Sequence, residues 1–110
     1  MQTTVELPEF VRRVSKLLGE SERQSLISYI AEFPKSGVIM RGTGGIRKLR
    51  WAREGGGKSG GVRVVYYFHN VQIPLYLLTV FGKGEKSNLS PSERNELAAL
   101  VKLLIKSAGL

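Results

Sequence analysis

The chain has 110 residues and a formal net charge of +8, with no cysteine, no aspartate and a single histidine, His69. A chain of this length folds around one core, so we expect one domain over residues 1–110. The missing cysteines exclude disulfides, thiolate nucleophiles and cysteine-based zinc sites. Because the sequence has neither a basic start followed by an apolar segment nor an apolar run of membrane-spanning length, we expect a cytoplasmic protein.

The positive charge is concentrated in the middle of the chain. Ten cations and two glutamates lie between residues 35 and 89, whereas the other seven cations are balanced by seven glutamates. An excess confined to half of a small domain is typical of a surface that binds a polyanion, most often a nucleic acid. The plainer interpretation is that the charge keeps the protein soluble.

Two helices are predicted first. Pro8 suits the start of the first helix, whose apolar residues follow at helical spacing up to Gly19. Ser21 begins the second, with Gln24 three residues later completing a capping box, and Pro34 ends it. We expect the two helices to form a hairpin.

Between residues 38 and 81 the apolar period changes to two, which predicts an antiparallel sheet. The strand-like runs are VIM, IRKLRWA, VRVVYYF and IPLYLLTVF. A third helix follows, with Ser90 as N-cap, Pro91 at its first position and Glu93 closing a capping box. Its leucine stripe is expected to belong to the core, so the predicted fold class is α+β: two helices, a meander and one helix.

Alternation within the strands separates charged from apolar side chains, because successive residues point to opposite faces. One face holds the residues expected in the core: Leu49, Trp51, Val62, Val64 and Phe68. The other holds Lys48, Arg50, Arg63 and Tyr67, and we expect the helices to leave this face open. Solvated charges on an edge strand explain single lysines, but they explain a shared basic face with an aromatic residue less well.

Two other motifs are weaker indications of function. AREGGGKS, residues 52–59, resembles a P-loop, but the following GGVRVVYYF predicts a strand instead of the helix that a P-loop requires. A hairpin loop whose Lys58 reaches a phosphate backbone is the better interpretation. His69 lies in a predicted turn with no carboxylate nearby in sequence to orient it for hydrolysis, and a lone histidine makes no metal cluster.

A cationic face without aspartate can still act on RNA. The 2′-hydroxyl attacks the adjacent phosphodiester when one group takes its proton, another protonates the leaving oxygen and cations stabilise the developing charge. A lysine among other cations can have its pKa lowered towards neutrality and so become a base. Such a site works best where something else holds the RNA in line.

The segments GTGGIRKLRWA, GKSGGVRVVYYF and LLTVFGKGEKSNLSPSE resemble the HigB-type branch of the RelE/ParE superfamily of toxin–antitoxin toxins, also described as phage-derived Gp49-like proteins. The resemblance covers essentially the whole chain. It implies a RelE-like (microbial-RNase-like) fold, no cofactor, and a toxin that enters the ribosomal A site and cleaves translated mRNA. The implied partners are the ribosome, mRNA and a cognate helix-turn-helix (HigA-like) antitoxin, without a membrane.

The resemblance places the catalytic residues at Lys48, Arg50 and Arg63. Lys48 is then the candidate proton acceptor, and the two arginines bind and stabilise the scissile phosphate. The expected contacts to mRNA or ribosomal RNA come from Arg47, Arg53, Lys58, Lys83 and Lys86, with base stacking on Tyr67 or Phe81. Many RelE-type toxins have a tyrosine or histidine near the C-terminus, where this chain has Ser87, Asn88, Leu89 and Ser90. The resemblance therefore assigns no general acid.

Two other functions fit the same sequence. A ParE-like inhibitor of DNA gyrase shares the fold but does not need three cations converging on one phosphate. A plain nucleic-acid-binding module would lose affinity steeply with salt and leave its target uncut.

Overall fold

The computed structural model describes residues 1–52, 61–86 and 88–109. The helices and strands follow in the order β1 (Thr4–Glu6), α1 (Pro8–Leu17), α2 (Glu20–Glu32), β2 (Val38–Ile39), β3 (Ile46–Trp51), β4 (Val62–Tyr67), β5 (Leu75–Gly82) and α3 (Pro91–Ser107). The predicted α+β class, with two helices, a meander and a final helix, is confirmed.

The strands form one mixed sheet in the order β1-β5-β4-β3-β2. Strands β2 to β5 pair antiparallel with their neighbours, as predicted. Strand β1 pairs parallel with β5, so the prediction of a purely antiparallel sheet was incomplete. Three residues are too few for a period of two to be recognisable in the sequence.

Helices α1 and α2 cover one face of the sheet, called here the α1–α2 face. Phe10 and Val14 of α1 and Leu26 and Ile30 of α2 are completely buried. They pack with strand residues that include Val62, Val64, Tyr66, Leu75, Leu77 and Val80. The predicted core is confirmed, with Val62 and Val64 fully buried and the other three residues packed at the margin of the cluster: Leu49, Trp51 and Phe68.

The start of α2 differs from the prediction. The helix begins at Glu20 with Gly19 as its N-cap, and no side chain caps it. Ser21 therefore lies inside the helix, and Gln24 Nε2 instead donates to Glu20 Oε1 over 3.1 Å. The capping box expected at Ser21 was wrong, because a glycine in an extended conformation can take the N-cap position without a side-chain bond.

Helix α3 covers part of the opposite face, called here the α3 face. Ser90 and Glu93 form the predicted capping box. Val101 is buried in a cluster with the strand residues Ile46, Val65, Tyr67, Leu78 and Phe81. These residues belong to the strands that carry the cations, so the expectation that the helices leave this face open was wrong. The apolar stripe of α3 must pack against another apolar surface to be buried, and it packs against this face of the sheet.

Candidate active site

Strands β3 and β4 place three cations on the α3 face. Arg50 lies directly opposite Arg63 in the antiparallel register, and Lys48 lies opposite Val65. Like charges directly opposite each other destabilise a sheet. In the described part of the chain, no carboxylate forms an ion pair with Lys48, Arg50 or Arg63. Positive charge without a counter-charge is the arrangement expected where an anion binds.

Lys48 is half-buried, and its Nζ donates a hydrogen bond to Asn88 Oδ1 over 3.1 Å. Burial lowers the pKa of Lys48, and the charges of Arg63 and Arg94 lower it further. A lowered pKa increases the fraction of a lysine that is deprotonated at a given pH, and this is the direction of change that a general base needs.

Asn88 and Arg94 also belong to this site, and the sequence analysis did not predict them. Arg94 lies at the end of the first turn of α3, three residues before Leu97 and seven before Val101. Residues at these spacings share a helix face, so extending the leucine stripe towards the N-terminus of α3 would have reached Arg94. Asn88 has no signal of periodicity, but it stands in the stretch that the resemblance aligns with the C-terminal tyrosine or histidine of many RelE-type toxins, and that alignment pointed to this position.

Lys86 is already paired on this side of the molecule. Its Nζ lies 2.5 Å from Glu93 Oε2 and 5.2 Å from the centroid of the Phe81 ring. Its hydrogen bond lowers the pKa of Glu93, as does the bond from the Ser90 backbone. Contact between Lys86 and RNA therefore requires an exchange of this ion pair.

Lys83 lies in the turn after β5 and is exposed. Its backbone N–H donates to Gly61 O over 3.1 Å, which attaches the turn to the start of β4. Its side chain forms no ion pair or hydrogen bond with another described residue, so it is available to a phosphate. Arg53 and Lys58, together with most of AREGGGKS, lie outside the described residues.

Arg47 makes structural hydrogen bonds on the face opposite Lys48. It lies opposite Tyr66 in the register, on the α1–α2 face. Its Nη1 donates to Gly37 O over 2.8 Å and to Lys35 O over 3.2 Å. The guanidinium thus holds the segment between α2 and β2, on the face opposite Lys48. Alternation within IRKLRWA already separates these two residues, and the contact of Arg47 with RNA stays a prediction.

Tyr67 and Phe81 are core residues, with exposed fractions of 4% and 1%. The Tyr67 hydroxyl forms a 2.8 Å hydrogen bond with His69 Nδ1, and burial raises the pKa of Tyr67. Neither ring presents a face to a nucleotide base, because α3 packs over them. Base stacking on these rings was therefore a wrong expectation for this arrangement.

Residues 1–52, 61–86 and 88–109 were searched for two other features. They contain no group of three histidine, cysteine, aspartate or glutamate side chains placed to hold a metal ion. Within the same ranges, no helix combines the length and apolar character needed to cross a membrane. The side chains that the site offers are cations and one amide.

Comparison with known protein families gives a match over residues 13–109 to the family described as "RelE toxin of RelE / RelB toxin-antitoxin system". This chain belongs to the RelE toxin family. The chain is also similar to a solved structure of the Escherichia coli toxin RelE, a double mutant in the free state. The two share 18% sequence identity, with a TM-score of 0.56 over 78% of this chain and 87% of that one. The likeness confirms the predicted RelE-like fold.

Membership of the RelE family defines the general role of the protein. It is a toxin of a toxin–antitoxin system, and the family implies an antitoxin partner. Among the described residues, the three cations of the α3 face, Lys48, Arg50 and Arg63, have no carboxylate as an ion-pair partner.

Glu93→Gln should weaken the acid dependence of stability in this RelE-family toxin. The pKa of Glu93 is lowered from its ordinary 4.5, so folding stabilises the ionised carboxylate. That contribution is present above the unfolded pKa and is lost as the pH falls through the lowered folded pKa. Urea unfolding at about pH 7 and about pH 3 should show a smaller loss for the variant than for the wild type.

Glu96→Gln is the matched control, because Glu96 is exposed on the same helix. The pKa of Glu85 is also lowered, chiefly by its hydrogen bond from the Gly82 backbone, but Glu85 titrates in every variant and cancels in the comparison. Equal acid losses in Glu93→Gln and the wild type would contradict the prediction.

Proposed function

We propose that this protein is a HigB-type, ribosome-dependent endoribonuclease that cleaves translated mRNA in the A site. One observation carries the proposal. Lys48, with its lowered pKa, lies on the same strand face as Arg50 and Arg63, and no described carboxylate neutralises them. A base beside unneutralised cations is what cleavage by a 2′-hydroxyl needs.

In the proposed reaction, Lys48 Nζ takes the proton of the 2′-hydroxyl, and the 2′-oxygen attacks the adjacent phosphorus. The bond from phosphorus to the 5′-oxygen breaks, which leaves a 2′,3′-cyclic phosphate and a 5′-hydroxyl end. Arg50 and Arg63 stabilise the negative charge that develops on the phosphate oxygens. Asn88, an amide, orients Lys48 and has no acidic proton to give, and the arginines are not deprotonated, so the leaving oxygen takes its proton from water or from the Lys48 ammonium that the first step forms.

The need for a ribosome is supported by the burial of the aromatic rings. Tyr67 and Phe81 offer a base nothing to stack on, although stacking is the usual means of holding single-stranded RNA. Without stacking on these two rings, alignment of the 2′-oxygen with the leaving oxygen would benefit from another molecule that holds the RNA. A ribosome holds its message in a defined path and can supply that alignment.

The proposed partners follow from the same function. They are the ribosome and mRNA in the cytoplasm, and a HigA-like, helix-turn-helix antitoxin that restrains the toxin. Such an antitoxin must meet a protein with a net charge of +8, so acidic groups on its contact surface would favour association.

Primer-extension mapping of mRNA in a purified translation system tests the function. We expect cuts within A-site codons that appear only when the message is being translated, and no cuts in naked mRNA. Intact message under both conditions would overturn the proposal. Gyrase supercoiling and salt-dependent binding would then separate the two other functions.

A further inference from the structure

We infer that Asn88 binds the 2′-oxygen of the nucleotide that is cleaved, with its side-chain Nδ2 donating to the oxygen whose proton Lys48 takes. The inference rests on the proposed function for its ligand, a ribonucleotide with a phosphate on its 3′-oxygen. It gives Asn88 a direct contact with RNA in addition to its contact with Lys48. It also gives the site a means of distinguishing RNA from DNA.

The first observation is that two donors fix the orientation of the Asn88 amide. Its Oδ1 accepts a hydrogen bond from Lys48 Nζ over 3.1 Å and another from the backbone N–H of Leu89 over 2.9 Å. A backbone N–H can only donate, so the oxygen of the amide, and not its nitrogen, must face Leu89. The Nδ2 atom is therefore the end of the side chain that is left for another molecule.

The second observation is that this nitrogen is free and accessible. Nδ2 forms no hydrogen bond with another described residue, and Asn88 is exposed. Its two N–H groups donate and cannot accept, so a partner must present an acceptor. Because Nδ2 and Oδ1 are attached to the same carbon, one substrate oxygen can lie within hydrogen-bond distance of both Nδ2 and Lys48 Nζ.

The approach to Lys48 and Asn88 is open from the side of β2. The hydrogen bond between the two side chains lies at the surface. Lys48 has the buried Val65 as its neighbour on β4 and Val38 as its neighbour on β2. Cross-strand partners share a face of the sheet, and Val38 is 73% exposed on this one. A nucleotide that approaches over Val38 therefore reaches Nζ and Nδ2 without displacing α3.

A 2′-hydroxyl fits this pair of groups better than a phosphate oxygen does. A hydroxyl both donates and accepts, so it can give its proton to the lone pair of neutral Lys48 while it accepts from Asn88 Nδ2. A phosphodiester oxygen only accepts, and it is held best by charged donors, which Arg50 and Arg63 supply. A donor on the 2′-oxygen also stabilises the negative charge that develops there as the proton leaves.

Nuclear magnetic resonance of the folded protein with adenosine 3′-phosphate tests the inference without any cleavage. This ligand has both the 2′-hydroxyl and the 3′-phosphate, whereas 2′-deoxyadenosine 3′-phosphate lacks only the hydroxyl. The Asn88 Nδ2–H resonances should shift with the first ligand and much less with the second. The wild type should bind the first ligand about threefold more tightly or better, which is the gain expected from one hydrogen bond.

Asn88→Ala should lower this preference for the 2′-hydroxyl, because it removes the donor. Asn70→Ala is the matched control and should keep the preference. Asn70 lies in the turn between β4 and β5, and its Oδ1 also accepts from a nearby backbone N–H, that of Gln72, over 2.8 Å.

Two results would overturn the inference. One is that the Asn88 Nδ2–H resonances of the wild-type protein respond equally to both ligands or to neither, a measurement that needs no variant to fold. The other is an undiminished preference for the 2′-hydroxyl in a folded Asn88→Ala.

The pH dependence of cleavage in the translation system tests the contact with Lys48 separately. Asn88→Asp should move the rise of the cleavage rate to higher pH, because a carboxylate beside Lys48 raises the pKa of its ammonium. Asn70→Asp should leave the rise in place. An unmoved rise in Asn88→Asp would contradict the contact on which the inference depends.

Failure of the inference and failure of the proposed function give different results. If the wild type cuts no mRNA while Asn88 still distinguishes the two ligands, the proposed function fails and the 2′-oxygen site stands. If the wild type cuts mRNA while Asn88 does not distinguish them, the role of Asn88 fails and the proposed function stands.

Discussion

Lys48→Arg should abolish mRNA cleavage while leaving the positive charge of the site in place. A guanidinium is not deprotonated in proteins, so the variant can attract a phosphate but cannot accept the proton of the 2′-hydroxyl. Loss of a positioned general base costs about 10²- to 10⁴-fold in rate. Primer extension under single-turnover conditions in the translation system measures the effect.

The control for this exchange is Lys102→Arg, which makes the same substitution at an exposed position of α3 and should cleave like the wild type. Cosedimentation with ribosomes shows whether Lys48→Arg still binds. Cleavage by Lys48→Arg within about twofold of wild type would remove Lys48 as the base.

The pH dependence of the cleavage rate tests the role of Lys48 a second time. With Lys48 as the base, the cleavage rate should rise with pH and level off above its pKa. Arg63 is one cause of the lowered pKa, so Arg63→Gln should move the rise to higher pH. A rise that stays at the same pH in Arg63→Gln would assign the titration to another group.

Phe10→Ala should lower the free energy of unfolding by about 3–5 kcal/mol, the usual cost of removing a large core ring. Phe10 is completely buried where α1 packs on the sheet, and the cavity left behind cannot close without moving the helix. A domain of this size is stable by about 5–15 kcal/mol in total, so the variant should be close to unfolding. Urea denaturation followed by circular dichroism measures the loss.

Val11→Ala, at the next position of α1, is the matched control. Val11 is 40% exposed, so its truncation should cost less than about 1 kcal/mol. A similar loss in both variants would contradict the prediction, because it would mean that the burial of Phe10 does not set the cost of its truncation.

The architecture was predictable where a period repeats over enough residues. Alternation along β3 and β4 correctly predicted that Leu49 and Val64 lie on the face opposite Lys48 and Arg63. A strand of six residues is long enough for the period of two to be recognised in the sequence. Strand β1 was missed because it has three residues and gains its stability by pairing with β5, far away in the chain.

The site was less predictable, because it depends on which helix lies over which face. The sequence indicated an apolar stripe on α3, but it did not indicate that the stripe would be buried on the face that bears Lys48. Tyr67 and Phe81 consequently became core residues. Asn88 and Arg94 were brought to Lys48 by the same packing.

The contact between Lys48 and Asn88 joins residues forty positions apart, and it bears on when the toxin becomes active during its own synthesis. Ribosomes make β3 and β4 well before α3, so a growing chain carries the strand cations without Asn88 or Arg94. The face beneath α3 also stays uncovered until the helix is made and docks. The candidate site of the toxin is therefore completed only after α3 has been made and has packed on the sheet.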